Sequence, residues 1–261
     1  MATGISAGYS GNVDIYAYSV AGNKDTQDST LYKINLRTGD VSAVGTVQVP
    51  GDKTDYDVNT LALNPNDGML YAFTDSGAAA GLYKIDPTTA ATTKVASFGG
   101  KNSIKITESM GAAFVDGVLY FATKPGAVSE LYTVDTDPAS ANFGKTTPVA
   151  LNGMASLGIA IEDLAWDAAT GKLYAVVDAG NPTYLYEIVL DASGAVIGVV
   201  NTLLIANNGE IEALATDGQG HMWAIDRQTG QVFEINLAAG VAVPTVTIDA
   251  SSVTHEGVES L

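Results

Sequence analysis

The sequence predicts an all-β protein: a five-bladed β-propeller of four-stranded blades, closed by pairing of the N- and C-terminal strands. A short strand motif recurs five times at intervals of roughly 50 residues, the size of one propeller blade. Turn-forming residues separate these motifs, and no amphipathic helical pattern interrupts them. The composition of 28 glycines, 46% hydrophobic and 16% charged residues suits an ordered protein with many turns. A β-sandwich is the rival architecture, but strict repetition favours the ring.

The clearest repeat is an aromatic strand that follows a turn. It reads "IYAYS", "LYAFTD", "LYFATK", "LYAVVD" and "MWAID", and its aligned aromatic residues are Tyr16, Tyr71, Tyr120, Tyr174 and Trp223. Turn sequences such as "NPNDG" and "DAATG" precede it. Because the tyrosines recur in register, we expect them to pack between blades and not to act as platforms for sugars.

A second landmark follows each aromatic strand and completes the blade. It reads "LYKIN", "LYKID", "LYTVD", "LYEIV" and "VFEIN". Each unit then holds about four strands, and the whole chain, 1–261, is one domain. The predicted blades span residues 55–100, 104–150, 158–205 and 209–249, with a fifth blade from 1–50 plus 255–261.

The closure of the ring is also predicted by the sequence. Four units begin with an additional strand: "DVNTLAL", "ITESMGAAF", "AIEDLAW" and "EIEALAT". The N-terminal unit lacks this strand, and "GVESL" at 257–261 supplies it. Since that last strand stops short of its counterparts, we expect the natural chain to continue beyond Leu261.

The rhythm of these motifs, "EaLA…dG.LYa…LY.id..tG", resembles that of bacterial extracellular β-propeller domains over nearly the whole chain. The GH…WD signature of WD-type repeats is absent, although "GHMWAID" starts at Gly220. The resemblance implies an extracellular or cell-surface location. The first residues lack the basic and apolar regions of a signal peptide, so we expect a domain excised from a longer secreted chain. A cytoplasmic protein is the alternative.

Charge and composition exclude several classes of function. The formal net charge of -17, from 12 basic and 29 acidic residues, argues against nucleic acid and anionic membrane surfaces as partners. No run of about 18 apolar residues is present, so membrane insertion is not expected. There is no cysteine, which excludes thiolate chemistry, and only His221 and His255 could serve zinc. We expect a monomer.

Carboxylates mark one end of the predicted channel. Glu212 lies inside the apolar segment "GEIEALATD", and alignment of the first strands places it level with residues of the other blades: Asn59, Glu108, Glu162 and Glu259. The second strands end nearby at Asp75, Asp178 and Asp226, whereas Lys124 and Ser19 replace aspartate in two blades. His255 precedes the closing strand near the same mouth.

Three interpretations of this acidic mouth remain open, because like charges that close cannot all ionise without compensation. The glutamates can accept hydrogen bonds from backbone N–H groups of the next blade. A hard cation is the second interpretation, with Ca²⁺ as the candidate cofactor and four candidate metal ligands: Glu108, Glu162, Glu212 and Glu259. A catalytic carboxylate pair is the third. The candidate ligand-binding residues are Asn59, Asp75, Asp178, Asp226 and His255.

These features lead to three functional hypotheses. The first is a non-catalytic binding or adhesion module of a secreted or surface protein, stabilised by Ca²⁺, with a protein or glycan ligand at the top face. The long Ser19–Thr30 segment is the candidate recognition loop there. The second is a Ca²⁺-dependent hydrolase, because the "IE.LA" strand resembles those of six-bladed lactonase-like and phytase-like propellers that hold Ca²⁺ near the channel. The third is a structural spacer.

Overall fold

The computed structural model describes residues 14–23, 28–47, 58–74, 80–98, 109–178, 182–206, 211–217, 220–248 and 258–259. Within these ranges the backbone forms five antiparallel sheets of four strands each and no helix. The sheets are the five blades of a β-propeller, as the sequence predicts. The described residues include no helix long and apolar enough to cross a membrane.

Each blade is numbered by its place around the ring. Blade 1 contains β20 (Val258–Glu259), β1 (Tyr16–Asn23), β2 (Asp28–Asn35) and β3 (Val41–Val47). Blade 2 contains β4 (Val58–Asn64), β5 (Met69–Thr74), β6 (Gly81–Ile85) and β7 (Thr92–Ser97). Blade 3 contains β8 (Ser109–Val115), β9 (Val118–Thr123), β10 (Glu130–Val134) and β11 (Thr146–Pro148). Blade 4 contains β12 (Asp163–Asp167), β13 (Lys172–Asp178), β14 (Thr183–Leu190) and β15 (Val196–Ala206). Blade 5 contains β16 (Ile211–Thr216), β17 (Met222–Asp226), β18 (Gln231–Asn236) and β19 (Val241–Thr247).

The ring is closed by the two ends of the chain. β20 pairs antiparallel with β1 through Tyr18↔Glu259 and Ser19↔Val258. The first strands of the five blades also contact one another in a closed circuit, from β4 through β8, β12, β16 and β20 back to β4. The predicted closure by N- and C-terminal strands is therefore confirmed.

The hydrophobic core is divided among the five blade interfaces. Each of five clusters of buried side chains joins two neighbouring blades. In β5, Tyr71 and Phe73 pack against blade 3, whereas Leu70 and Ala72 pack against blade 1. Successive side chains of a strand point to opposite faces, so both faces of each blade are buried. This explains why motifs such as "LYAF" are continuously apolar.

In blades 2 to 5, an alanine of the first strand lies opposite the aromatic residue of the second strand. The pairs are Ala62↔Tyr71, Ala113↔Tyr120, Ala165↔Tyr174 and Ala215↔Trp223. All four alanines are buried. Small side chains at this level let the first strands approach the axis closely, while the aromatic rings fill the wider space farther out.

The aromatic register predicted for blade 1 is wrong by two residues. Tyr18 pairs with Lys33, just as Tyr71 pairs with Lys84 in the equivalent "LYK" segment. Tyr18 is therefore the counterpart of the other aromatic residues, and Tyr16 lies nearer the end of the channel. Its hydroxyl donates to Asp14, 3.2 Å away, and Lys33 Nζ lies 3.8 Å from the centre of its ring.

The prediction of a long recognition loop over Ser19–Thr30 is also wrong. The β1–β2 ladder continues to Asn23↔Asp28, so most of that segment is a hairpin of paired strands. Ser19 and Ser29 are fully buried within it. Polar residues suggested a loop, but small hydroxyl side chains fit a buried strand when they have hydrogen-bond partners.

Candidate functional site

The upper mouth is defined here as the end of the channel where the first strands begin and the second strands end. Three first strands carry a β-bulge there, and the extra residues are Asn59, Met110 and Glu212. A bulge interrupts the ladder and redirects a side chain. This explains how Glu212 interrupts a buried strand and still keeps a side chain that is 27% exposed. In blade 4, Glu162 immediately precedes β12, and its N–H donates to the carbonyl of Val176.

The sequence predicts that the glutamates of the first strands lie at one height along the channel, and strand pairing shows that this is only partly correct. Met110, and not Glu108, occupies the bulge position of blade 3, because Ser109 pairs with Thr123 as Val58 pairs with Thr74. Glu259 pairs with Tyr18, the level at which the other blades carry alanine. Strand pairing therefore places Glu162 and Glu212 at equivalent positions.

Several predicted site residues lie outside the described structure. Glu108, Asp75 and His255 are not described, and the side chains of Asn59, Asp178 and Glu259 are not described either. Their roles in binding a metal or ligand stay predictions.

The two described glutamates of the upper mouth are both held by basic side chains. Glu162 Oε1 lies 3.2 Å from Lys124 Nζ, which joins blade 4 to blade 3. Glu212 Oε2 lies 3.1 Å from Arg227 Nη1 within blade 5. In the described part of the chain, no three acidic or histidine side chains come together in a way that could hold a metal ion.

Arg227 is a site residue that the sequence alignment missed. It stands four residues after Trp223, just as Lys124 stands four residues after Tyr120. Counting from the aromatic residue would have found it. The alignment placed Asp226 there, but Asp226 is buried, and its Oδ1 accepts N–H bonds from Gln228 and Thr229 at 2.8 and 3.0 Å. Asp226 shapes the turn after β17.

A buried carboxyl group, Asp163, joins blades 4 and 5. Its Oδ1 accepts the N–H of Leu164 and its Oδ2 accepts the N–H of Leu214 in the next blade, both at 2.6 Å. One interpretation of the sequence assigned to the glutamates a hydrogen bond from a backbone N–H of the next blade. In the structure Asp163, the residue after Glu162, accepts this bond. Burial raises the pKa of Asp163 well above its usual value, although both N–H bonds act in the opposite direction. The signal in the sequence was an aspartate inside the apolar strand "DLAW".

The opposite end of the channel holds a cavity of about 400 Å³, here called the lower cup. Residues of all five blades line it. Its wall is formed by the residues that follow the four alanines, namely Leu63, Phe114, Trp166 and Thr216, and its rim includes Asp14 and Asp217. Sequence reasoning did not identify this site, because no acidic repeat marks it.

The two acidic groups of the lower cup already have basic neighbours. Asp14 Oδ1 lies 2.7 Å from Arg37 Nη2, and this hydrogen bond is the main reason that the pKa of Asp14 is lowered. Asp217 Oδ2 lies 2.6 Å from His221 Nδ1, and Asp217 Oδ1 accepts the backbone N–H of His221. The lower cup therefore combines aromatic surface with carboxylates whose charge is partly balanced.

A larger and more polar groove of about 810 Å³ lies between blades 2 and 3. Asp67 Oδ2 pairs with Lys84 Nζ at 2.8 Å there and accepts the hydroxyl of Tyr71 at 3.1 Å. The hydrogen bond from Lys84 raises the pKa of that lysine. These contacts hold the side chains on the blade 2 side of the groove in place.

This molecule is a β-propeller domain. It has five four-stranded blades in a ring that is closed by both chain ends, and the two mouths of its axial channel carry different side chains. Its repeat is not of the WD type. The chain belongs to the family described as "Repeat of unknown function (DUF6923)", whose sequence profile matches residues 18–256.

Solved structures with the same architecture share little sequence with this chain. A nidogen/laminin complex contains a chain at 12% identity and a TM-score of 0.52, with 92% of this chain and 82% of that chain covered. A putative gluconolactonase matches at 14% identity and 0.53, covering 90% and 79%. TolB from Acinetobacter baumannii matches at 16% and 0.53, covering 88% of this chain and 52% of its own. No curated protein sequence matches. At sequence identities this low, the structural similarity shows only that these proteins share the fold.

Proposed function

We propose that this chain is a non-catalytic binding module of a secreted or cell-surface protein and that it holds a protein ligand at its upper mouth. One observation carries the proposal: the two described glutamates of that mouth are in ion pairs, Glu162 with Lys124 and Glu212 with Arg227. A general acid or base needs a carboxyl group whose proton can move at working pH. A neighbouring cation favours the ionised form and opposes such a role.

The nature of the ligand is inferred from charge and from the neighbours of the fold. A net charge of -17 favours a partner with a basic surface, because complementary potentials speed association and disfavour wrong partners. The nidogen/laminin complex is an example of this architecture in a protein–protein assembly. The extracellular location follows from the repeat's resemblance to extracellular propeller domains.

Selection of displayed peptides tests this proposal directly. A random peptide library is selected on the full chain, and enriched clones are compared on two variants. Gly126→Tyr places a bulky ring on the upper connection between β9 and β10, where an added Cβ meets no atom within 4 Å. Ala168→Tyr places the same side chain beside the lower cup, at an exposed turn residue. We expect Lys- and Arg-rich clones that lose binding to Gly126→Tyr and keep it to Ala168→Tyr.

Two results would overturn the proposal. One is a failure to enrich any basic peptide, or enrichment of clones that bind Gly126→Tyr as well as the parent. The other is hydrolysis of simple γ- and δ-lactones in the presence of Ca²⁺, provided that Glu212→Gln abolishes the turnover. That second result would establish the hydrolase in place of the binding module.

A further inference from the structure

We propose that the lower cup binds the terminal monosaccharide of a glycan. This site lies at the opposite end of the channel from the upper mouth and is independent of the protein ligand proposed there. Its volume of about 400 Å³ falls in the range of sites that enclose small molecules. It accommodates one sugar ring, and its open side leaves room for the rest of a glycan chain.

The wall of the lower cup has an apolar side and a polar side. Blades 2, 3 and 4 contribute Leu63, Phe114 and Trp166 at one level of three neighbouring first strands. Blade 5 contributes Thr216 and Asp217, and blade 1 contributes Asp14 and Tyr16. The division follows from the sequence, since the residue after the alanine is large and apolar in three blades and a threonine in the fourth.

A pyranose ring has the matching distribution of chemical groups. One of its faces presents C–H groups that pack on aromatic surface, and its edge presents hydroxyl groups. Carboxylate oxygens accept such hydroxyls in charge-assisted hydrogen bonds. An aromatic side chain adds large contact area with little loss of side-chain entropy, because it has few rotatable bonds. Trp166 supplies that surface, with Asp217 and Asp14 as acceptors. Phe114 backs the wall from the core, where it is buried and packs edge-on against Tyr71.

Other ligand classes suit the lower cup less well. An anion would meet two carboxylates, Asp14 and Asp217, at the rim. A purely apolar ligand would leave the polar groups of blades 5 and 1 buried without water or another hydrogen-bond partner, which is unfavourable. A cationic ligand would compete with the side chains that already contact these carboxylates. Arg37 lies 2.7 Å from Asp14, and His221 lies 2.6 Å from Asp217. A neutral polyol is not repelled by the carboxylates, satisfies the polar groups and does not compete with the basic neighbours.

Binding of methyl glycosides to the full chain tests the inference. The probes are the methyl glycosides of glucose, galactose, mannose, fucose and N-acetylglucosamine, with choline as a cationic comparison. Saturation-transfer NMR detects contact, and intrinsic fluorescence reports on Trp166, since Trp223, the second tryptophan of the chain, is buried. We expect at least one glycoside to bind saturably in the millimolar range and to change the fluorescence.

Three variants locate the binding. Ala168→Tyr narrows the lower cup from an exposed turn and should weaken glycoside binding at least tenfold. Gly126→Tyr, on the upper mouth, should leave it unchanged. Asp217→Asn keeps the shape of the side chain and should weaken binding several-fold, and thermal melting of each variant verifies that the propeller remains folded.

The outcomes separate this inference from the proposed function. Glycoside binding lost only in Ala168→Tyr supports a sugar site, whether or not basic peptides bind the upper mouth. Binding that is equal in Ala168→Tyr and the parent overturns it. So does the absence of saturable transfer for every glycoside, or binding of choline in place of the sugars, which would make the lower cup a cation site.

Discussion

Asp163 shows how a single residue can join two blades. Its two carboxyl oxygens each accept a backbone N–H, one from its own strand and one from Leu214 across the interface. The side chain is buried, so the uncharged acid is favoured over the carboxylate. A buried polar group left without its partner destabilises by about 1–3 kcal/mol, which makes this residue sensitive to substitution.

The first prediction concerns the pH dependence that Asp163 confers. Its pKa in the folded protein is raised above the ordinary value of 3.8 that it has in the unfolded chain, so its stabilising effect is complete below about pH 4. That stabilisation is lost as the pH rises through the folded pKa. Asp163→Asn should flatten this part of the profile and destabilise by about 1–3 kcal/mol at pH 4, because its NH₂ group opposes one backbone N–H. Urea unfolding between about pH 2 and pH 8 measures both effects.

Asp191→Asn is the matched control for that experiment. Asp191 lies on an exposed turn, where the hydroxyl of Ser193 lowers its pKa. Its contribution is present at neutral pH and is lost as the pH falls. Asp191→Asn should therefore change the profile at its acidic end with the opposite sign. Parallel profiles for Asp163→Asn and the parent would show that Asp163 stays ionised.

The second prediction concerns calcium at the upper mouth. Lys124→Met with Arg227→Met removes the cations beside Glu162 and Glu212, so these carboxylates repel each other more strongly in chelator. We expect the double variant to melt at a lower temperature than the parent in chelator. Added Ca²⁺ should raise its melting temperature more than that of the parent, since a ligand that binds the folded state stabilises it. Differential scanning calorimetry gives both values.

Lys172→Met is the control for calcium, because Lys172 pairs with Glu187 on a strand away from the channel. Its change in melting temperature between chelator and Ca²⁺ should equal that of the parent. If the double variant also shows no response to Ca²⁺, the proposal of calcium binding by these glutamates is wrong. In that case the two ion pairs balance the charge of these glutamates without a metal ion.

At the scale of the strand, the fold was predictable because each blade repeats the same buried pattern. The alternation of Leu70 and Ala72 with Tyr71 and Phe73 serves two blade interfaces at once. Such a pattern is visible in the sequence as an apolar run between turns. The number of blades, their four strands and the closure by β20 followed from it.

The same strands explain why the site was predicted with errors of one or two residues. Alignment by sequence spacing assumes turns of equal length between the first and second strands. The turn after β8 has two residues, Asp116 and Gly117, whereas the turn after β4 has four, so Met110 stands where Glu108 was placed. In "YAY", two tyrosines fit the aromatic position equally well, and only strand pairing selects Tyr18. The lower cup depends on side chains from five separate strands, which no local motif brings together.

The third prediction tests the close approach of two first strands. A Cβ at Gly111 would lie 2.6 Å from Cα of Asp163, and the φ of Gly111 is +156°. Gly111→Ala should therefore push β8 from β12 and destabilise the protein by about 2–4 kcal/mol through overpacking and backbone strain. Urea unfolding of the variant provides the measurement.

Gly126→Ala is the control for Gly111→Ala, because an added Cβ at Gly126 meets no atom within 4 Å. We expect its free energy of unfolding to stay within about 0.5 kcal/mol of the parent, as is usual for surface positions. Equal stability of Gly111→Ala and Gly126→Ala would show that β8 and β12 do not approach each other as closely as the coordinates indicate.

At the scale of the whole molecule, stability comes from five interfaces arranged in a closed ring. Each blade is buried on both faces, so an open ring would expose two apolar faces at once. β20 is the short strand on which this closure depends, since it pairs with β1 and contacts β16 and β4. Two mouths with different chemistry then lie at opposite ends of one scaffold, so the proposed protein and glycan ligands would not compete for space.

The last prediction tests this closure. Deletion of residues 257–261 removes β20, leaves the edge of β1 unpaired and removes the contacts of β20 with β16 of blade 5 and β4 of blade 2. An unpaired edge promotes association with other chains. Loss of about 2 kcal/mol would lower the melting temperature by roughly 4–8 °C for a protein of this size. Replacement of the same five residues by a Gly/Ser segment keeps the chain length and should be nearly as damaging, because Gly-rich segments are flexible and form strands poorly. Size-exclusion chromatography and thermal melting of both variants provide the measurements, and a deletion variant that stays monomeric and melts with the parent would show that the ring closes without β20.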